Sequence, residues 1–229
     1  MNGDAAEKGA KDGGRPVRRL WVRAWALAGG LVVFGSLYFF VRGHFKDGVW
    51  KFDLTLVDKS LGVAALVLLS LSMLLTSVAY FRHRPARPLA FRKHYGLVGF
   101  WTGLVHAGVN HFLLPLGGLH SERQVEAWIS DGPALAALAL FGAMAFLSLP
   151  RAKARLSGGT WRRTLRYAGY AGLALSIGHA ALLKWTSWTN YFRTFGSVVP
   201  SLSLPAVLFA AAAVILRLAV WVSRRRRRA

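Results

Sequence analysis

The sequence contains no cysteine and only 9 acidic residues among its 229 residues. Without cysteine, the chain cannot form disulfide bonds, thiolate zinc sites, iron–sulfur clusters or a thiol nucleophile. Any metal or cofactor must therefore be held by histidine, methionine, carboxylates or the backbone. The sequence also lacks a Gly-x-Gly-x-x-Gly string, so we expect no NAD(P)H- or flavin-binding domain in this chain.

Apolar residues, in contrast, make up 54% of the chain and gather in six blocks. Each block is long enough for a helix to cross the hydrocarbon core of a membrane. We predict an all-α integral membrane protein, a bundle of six transmembrane helices at residues 21–41, 60–80, 95–116, 133–149, 167–185 and 202–222. Residues 1–19 are expected to form a flexible basic N-terminus, residues 20–222 the transmembrane domain, and residues 223–229 an Arg-rich tail.

The formal net charge of +21 is distributed unevenly between the gaps. Of the 30 Lys and Arg residues, 23 lie in the N-terminal stretch through Arg23, in the second and fourth gaps, or in the C-terminal stretch from Arg217. By the positive-inside rule, both termini are expected in the cytoplasm, with the protein in a bacterial-type inner membrane. This distribution favours contact with anionic lipid over nucleic-acid binding.

Three of the seven histidines, His106, His111 and His179, lie within apolar blocks, where ionisable residues are costly and often functional. His106 follows Arg92 by 14 residues and His179 follows Arg166 by 13. On parallel helices the two histidines should therefore stand about 20 Å from the inner edge. Two imidazoles at one level suit the axial coordination of heme iron, whereas zinc or copper usually requires further ligands.

Small residues lie beneath both histidines on the same helix faces. Gly99 and Gly103 precede His106, and Gly172 precedes His179. These glycines either leave room for a flat macrocycle or form close helix–helix contacts. Leu175, on the face of His179, would pack against a macrocycle edge or face lipid.

Four further residues are weaker candidates. His111 and His94 are secondary candidate metal ligands, at the outer rim and near the inner edge. Arg92 and Arg166 are expected either to anchor their helices at the cytoplasmic surface or to bind an anionic group, such as a heme propionate or a lipid headgroup.

Two segments of the chain resemble helices three and five of the ferric-reductase-like transmembrane family. They are RKHYGLVGFWTGLVH, which ends at His106, and WRRTLRYAGYAGLALSIGHAALLKW, which contains His179. The shared features are the basic pair before Gly96, then Trp161, Leu165 and Tyr170, and the two histidines. The resemblance covers about residues 60–190, and within the family it is strongest to the heme-binding membrane subunits that serve periplasmic methionine-sulfoxide reductases.

The resemblance implies a b-type heme bound by His106 and His179. Where two-heme members of the family have inner histidines, this chain has Arg92 and Arg166, so one heme is expected. The resemblance further implies an electron-transfer subunit, for which we expect a membrane quinol as donor and an outer-face acceptor such as a periplasmic reductase. The alternative is a heme-free transporter or structural membrane subunit of the same fold.

The gaps predicted on the outer side, residues 43–59, 117–132 and 186–201, are long for connections between adjacent helices. They contain six prominent aromatic residues: Trp50, Phe52, Trp128, Trp188, Tyr191 and Phe192. Because aromatic residues are enriched at protein interfaces, we expect these loops to dock a redox partner. Alternatively, they anchor the protein in the headgroup layer.

Overall fold

The computed structural model describes residues 3–48, 50–82, 89–116, 124–195 and 199–226. Within these ranges the chain is helical and contains no β-strand. The helices are α1 (Gly3–Asp47), α2 (Leu54–Arg82), α3 (Ala90–Gly108), α4 (Leu114–Leu116), α5 (Gln124–Leu147), α6 (Pro150–Ala154), α7 (Gly158–Thr194) and α8 (Ser203–Arg226). A π turn, Val109–Leu113, joins α3 to α4, so these three elements form one continuous helical segment.

Several of the helices have the length and polarity of membrane spans. Four segments are long and apolar enough to cross a membrane: Arg18–Phe45, Leu54–Arg82, Leu89–Leu116 and Ser203–Arg226. The apolar part of α5, Asp131–Leu147, is shorter. Large apolar side chains such as Phe34, Leu37 and Ile215 are more than half exposed, as expected for residues that contact lipid. The prediction of an all-helical membrane protein is thus confirmed.

The helices extend beyond the predicted blocks at several ends. The connections that follow α1 and α7 are only residues 48–53 and 195–202. The long loops predicted at 43–59 and 186–201 are therefore wrong, because both helices continue through polar and aromatic residues after the apolar block ends. The N-terminal segment predicted to be flexible is helical from Gly3, in keeping with the good helix formers Ala, Glu and Lys that it contains.

Helix α2 is central, since it packs on α1, α3, α7 and α8. Helix α5 packs on α3 and α7, so α2, α3, α5 and α7 form a ring in which α3 and α7 stand diagonally. Leu69 of α2, Phe100 of α3, Phe141 of α5 and Leu175 of α7 pack in one apolar cluster between these helices. Leu175 therefore faces the bundle rather than lipid.

The first turn of α2 is capped by Asp53. Its Oδ1 accepts hydrogen bonds from the Thr55 hydroxyl and from the Leu56 amide, the latter at 3.2 Å. The amide bond satisfies one of the free donors of the helix terminus. Burial opposes ionisation of Asp53, but these hydrogen bonds, with Lys51 and Lys59 nearby, hold the pKa of its carboxyl below the ordinary value.

We expect Asp53→Ala to lower the free energy of unfolding by about 1 kcal/mol, the usual contribution of an N-cap. Because the pKa of folded Asp53 is lowered, this contribution is present above the pKa of the unfolded state and is lost as the pH falls through the folded value. Unfolding in detergent at several pH values measures the effect. In Asp53→Asn the side-chain amide still caps the helix but does not titrate. The difference in free energy of unfolding between wild type and this variant should therefore vanish in acid. A difference in free energy of unfolding that is the same at every pH would contradict the prediction.

Candidate functional site

His106 of α3 is paired with a buried carboxylate of α2. Its Nδ1 lies 2.8 Å from Oδ1 of Asp58, and Asn110 donates to Oδ2 of the same carboxylate at 3.3 Å. Asp58 is only 4% exposed, so both of its oxygens are engaged within the bundle. A carboxylate that accepts from Nδ1 fixes the orientation of the imidazole and leaves Nε2 as the nitrogen available to a ligand.

Gly62, one turn further along α2, lies against the same imidazole ring. A Cβ at this position would come within 3.1 Å of Nε2, 3.2 Å of Cε1 and 3.4 Å of Cδ2 of His106. Because these distances are nearly equal, Gly62 faces the flat side of the ring. The lone pair of Nε2 lies in the ring plane and is therefore not directed at α2. The absence of a side chain at Gly62 lets the flat face of the imidazole, including Nε2, lie close to α2.

The helix registers place His179 at nearly the level of His106. Helix α3 is antiparallel to α2, and its His106 faces Gly62. Helix α7 is also antiparallel to α2, with Gly169 against Met73. The contact is made by the tip of the Met73 side chain, so counting along both helices from it places His179 within about one turn of the level of Gly62. The two histidines therefore lie at similar heights on diagonal helices.

His179 shares a face of α7 with Gly172 and Leu175, which precede it by seven and four residues. Phe141 of α5 fills the notch at Gly172, since a Cβ there would come within 2.9 Å of its ring. Leu175 packs in the same apolar cluster. Gly172 and Leu175 stand one to two turns before His179 along α7, so this apolar cluster lies on the same face of α7 as His179.

Gly99 and Gly103 allow α3 to pack closely on α2. A Cβ at Gly99 would meet Leu69 at 3.0 Å and Leu68 at 3.1 Å, and one at Gly103 would meet Ala65 at 3.6 Å. These glycines could leave room for a macrocycle or allow close helix–helix contact, and the structure shows the helix–helix contact. Both glycines face α2 rather than α7.

The weaker histidine candidates stand apart from the pair. His94 Nδ1 lies 3.0 Å from the carbonyl of Ala90, and its ring meets Trp21 of α1 edge-on at a centroid distance of 4.9 Å. His94 therefore faces α1. His111 is exposed in the π turn. Within the described ranges, no group of three or more His, Cys, Asp or Glu side chains is arranged to hold a metal ion.

Arg92 stands at the start of α3 and Arg166 two turns inside α7, and their charges are close enough to interact. They precede His106 and His179 by 14 and 13 residues, which is about 20 Å along the helices. This separation is larger than the reach of the propionates of a heme held between the histidines. The arginines therefore form a separate group at the other end of the bundle.

The aromatic residues of the outer end do not form a single surface. Trp188 is only 7% exposed, and its Nε1 donates to the hydroxyl of Ser203 at 3.2 Å. The expectation that Trp188 belongs to an exposed docking surface is therefore wrong, because this indole is buried and hydrogen-bonded against α8. Tyr191 is partly buried, Trp50, Phe52 and Phe192 are more than half exposed, and the side chain of Trp128 lies outside the described residues.

Asp58 and Asn110 are the site residues that sequence reasoning missed. Asp58 falls two residues before the predicted block 60–80, in the predicted gap 43–59. Because α2 begins at Leu54, Asp58 is instead inside the helix, at its second turn. Its position four residues before Gly62 is the signal that could have placed both on one helix face.

No known family model matches this chain, and no curated protein matches it. The resemblance to the ferric-reductase-like family therefore depends on the two segments that contain His106 and His179.

Proposed function

We propose that this chain is a six-helix membrane cytochrome b subunit that holds one heme between His106 and His179. The observation that supports this most directly is the pairing of His106 Nδ1 with buried Asp58 at 2.8 Å. A ligating histidine typically donates its other ring nitrogen to a carboxylate or carbonyl in this way. His179 supplies a second imidazole at a similar height.

The residues around the two histidines fit a heme. Two imidazoles at similar heights, next to the apolar side chains of Phe141 and Leu175, suit an iron porphyrin with two axial side-chain ligands. The bound heme would supply one-electron chemistry. In the protein, Asp58 accepts a hydrogen bond from Nδ1 of His106 and so keeps the proton on that nitrogen. Asn110 donates a hydrogen bond to the second carboxylate oxygen of Asp58.

A heme in the outer half of the membrane suits electron transfer from a membrane quinol to an acceptor at the outer face, such as a periplasmic reductase. The charge distribution of the loops supports cytoplasmic termini in a bacterial-type inner membrane. Trp50, Phe52 and Phe192 are exposed at the outer end and provide the apolar contact area that such a partner would use.

The reduced-minus-oxidised spectrum of the purified protein tests this function. We expect the absorption of a low-spin heme with two histidine ligands, and reduction of that heme by a quinol analogue in proteoliposomes. Protein that carries no heme when purified from heme-sufficient cells would contradict the proposal. A heme that the quinol analogue does not reduce would contradict the assigned donor only.

A heme-free transporter is the second candidate, and one observation favours it. A carboxylate paired with an imidazole at membrane depth is the kind of group that proton-coupled transport requires. Predicted spans three to five contain no carboxylate, but Asp58 on α2 supplies one. A colourless protein with proton uptake that is lost in Asp58→Asn would favour this function.

A further inference from the structure

Three arginines from different helices converge around Tyr170 at the inner end of the bundle. The guanidinium carbon of Arg217, on α8, lies 5.8 Å from the centroid of the Tyr170 ring. Arg92 of α3 and Arg166 of α7 are close enough to Arg217 for the charges to interact. Tyr170 donates its hydroxyl to the carbonyl of Met73 at 3.4 Å. Three helices therefore contribute to this group, which we call the inner arginine cluster (Arg92, Arg166 and Arg217), and α2 borders it at Met73.

No acidic side chain neutralises the inner arginine cluster in the part of the chain that the structure describes. The ion pairs found there are Lys51–Asp53 and His106–Asp58, both near the outer ends of helices. The sequence has no Asp or Glu at residues 59–121 or after residue 131. Arg92 and Arg217 are half-buried, where repulsion between like charges is less screened than in water. An anion at this position would offset that repulsion.

Two hydroxyl groups of α2 lie at the same level. Within the described residues, Oγ1 of Thr76 and Oγ of Ser77 are buried without a hydrogen-bond partner, and Ser77 is fully buried. Ser72, one turn before Thr76, donates to the carbonyl of Arg92 at 2.8 Å, which fixes this part of α2 beside the start of α3. Buried hydroxyls almost always have a partner, so this pair is an independent sign that a polar ligand belongs here.

We infer that the inner arginine cluster binds a phosphate group, supplied by the headgroup of an anionic phospholipid in the inner leaflet. The planar guanidinium fork matches the oxygens of phosphate, and a serine or threonine hydroxyl adds a donor. Thr76 and Ser77 stand five or six residues before the end of α2 at Arg82, about 8 Å along the helix, a depth that a lipid headgroup reaches. The inference is independent of the heme.

Retention of phospholipid by the full-length protein tests this site, measured by native mass spectrometry after equilibration in micelles with equal amounts of phosphatidylglycerol and phosphatidylcholine. We expect wild type to retain phosphatidylglycerol preferentially. Arg217→Gln and Arg166→Gln should each lower this retention about tenfold, the loss expected when one charge-assisted hydrogen bond to the phosphate is removed. The matched control is the double variant Arg162→Gln and Arg163→Gln, which removes two exposed arginines of α7 and should leave retention unchanged.

A second arm titrates lipid-free protein in neutral detergent with inorganic phosphate and follows the melting temperature. Stabilisation that disappears in Arg217→Gln, without a preference for phosphatidylglycerol, would support the phosphate site but overturn phospholipid as its source. Equal retention of both lipids and no response to phosphate would overturn the site, as would an equal loss in the control variant. Arg166 is exposed, so Arg166→Gln keeps the test valid if Arg217→Gln does not fold.

Discussion

Replacing either His106 or His179 with alanine is expected to abolish the low-spin heme absorption of the purified protein. Each substitution removes one of the two proposed axial imidazoles, and the described ranges contain no group of three or more His, Cys, Asp or Glu side chains arranged to hold a metal ion. The two variants should behave alike, because each leaves the proposed heme with a single axial imidazole. Heme content per protein and the reduced-minus-oxidised spectrum are the measurements.

His111→Ala is the control for these variants, since His111 is exposed in the π turn. It should keep both heme content and spectrum. Full heme retention in both His106→Ala and His179→Ala would refute the site, whereas a loss in all three variants would indicate general destabilisation rather than removal of ligands.

Asp58→Ala is expected to lower the free energy of unfolding by about 2 kcal/mol, the cost of leaving a largely buried donor without its partner. The substitution leaves Nδ1 of His106 without its acceptor, whereas the amide of Asn110 is exposed and can donate to water instead. An unpaired donor in such surroundings loses the solvation that water would provide. Reversible denaturation in mixed micelles measures the loss.

A double-mutant cycle measures the interaction energy between Asp58 and His106 separately from the effects of the single substitutions. Asp58→Ala combined with His106→Ala should cost less than the sum of the two single variants, because the double variant leaves no unpaired imidazole. Additive losses, or a loss in Asp58→Ala below about 1 kcal/mol as for exposed ion pairs, would show that the 2.8 Å contact contributes little.

The sequence was sufficient to predict the helices but not their ends. The apolar blocks coincide with long helices because a chain in a membrane must satisfy its own backbone hydrogen bonds. The ends depend on polar and aromatic residues that are equally suited to a loop and to a helix at the headgroup level. Trp188 illustrates the difficulty: its indole could anchor in the interface or bury against Ser203, and only the packing of α7 on α8 decides.

At the candidate site, sequence spacing predicted the height of the histidines but not the direction in which they point. Height follows from a fixed rise per residue, whereas the partner of His106 lies 48 residues earlier in the chain, on another helix. The same limit applied to Gly99 and Gly103. Small residues beneath a histidine suit a macrocycle and a neighbouring helix equally, and the contact with α2 distinguishes the two.

The central position of α2 has a consequence for how the protein enters the membrane. Helix α2 emerges from the ribosome long before α7 and α8, yet Ser60 and Ser70 on it are fully buried in the finished bundle. Each of these hydroxyls donates to the carbonyl one turn earlier in its own helix, Leu56 at 2.7 Å and Leu66 at 2.6 Å. Their donors are satisfied before any neighbour arrives. Helix α2 can therefore insert into the lipid early, before α7 and α8 are synthesised and pack against it.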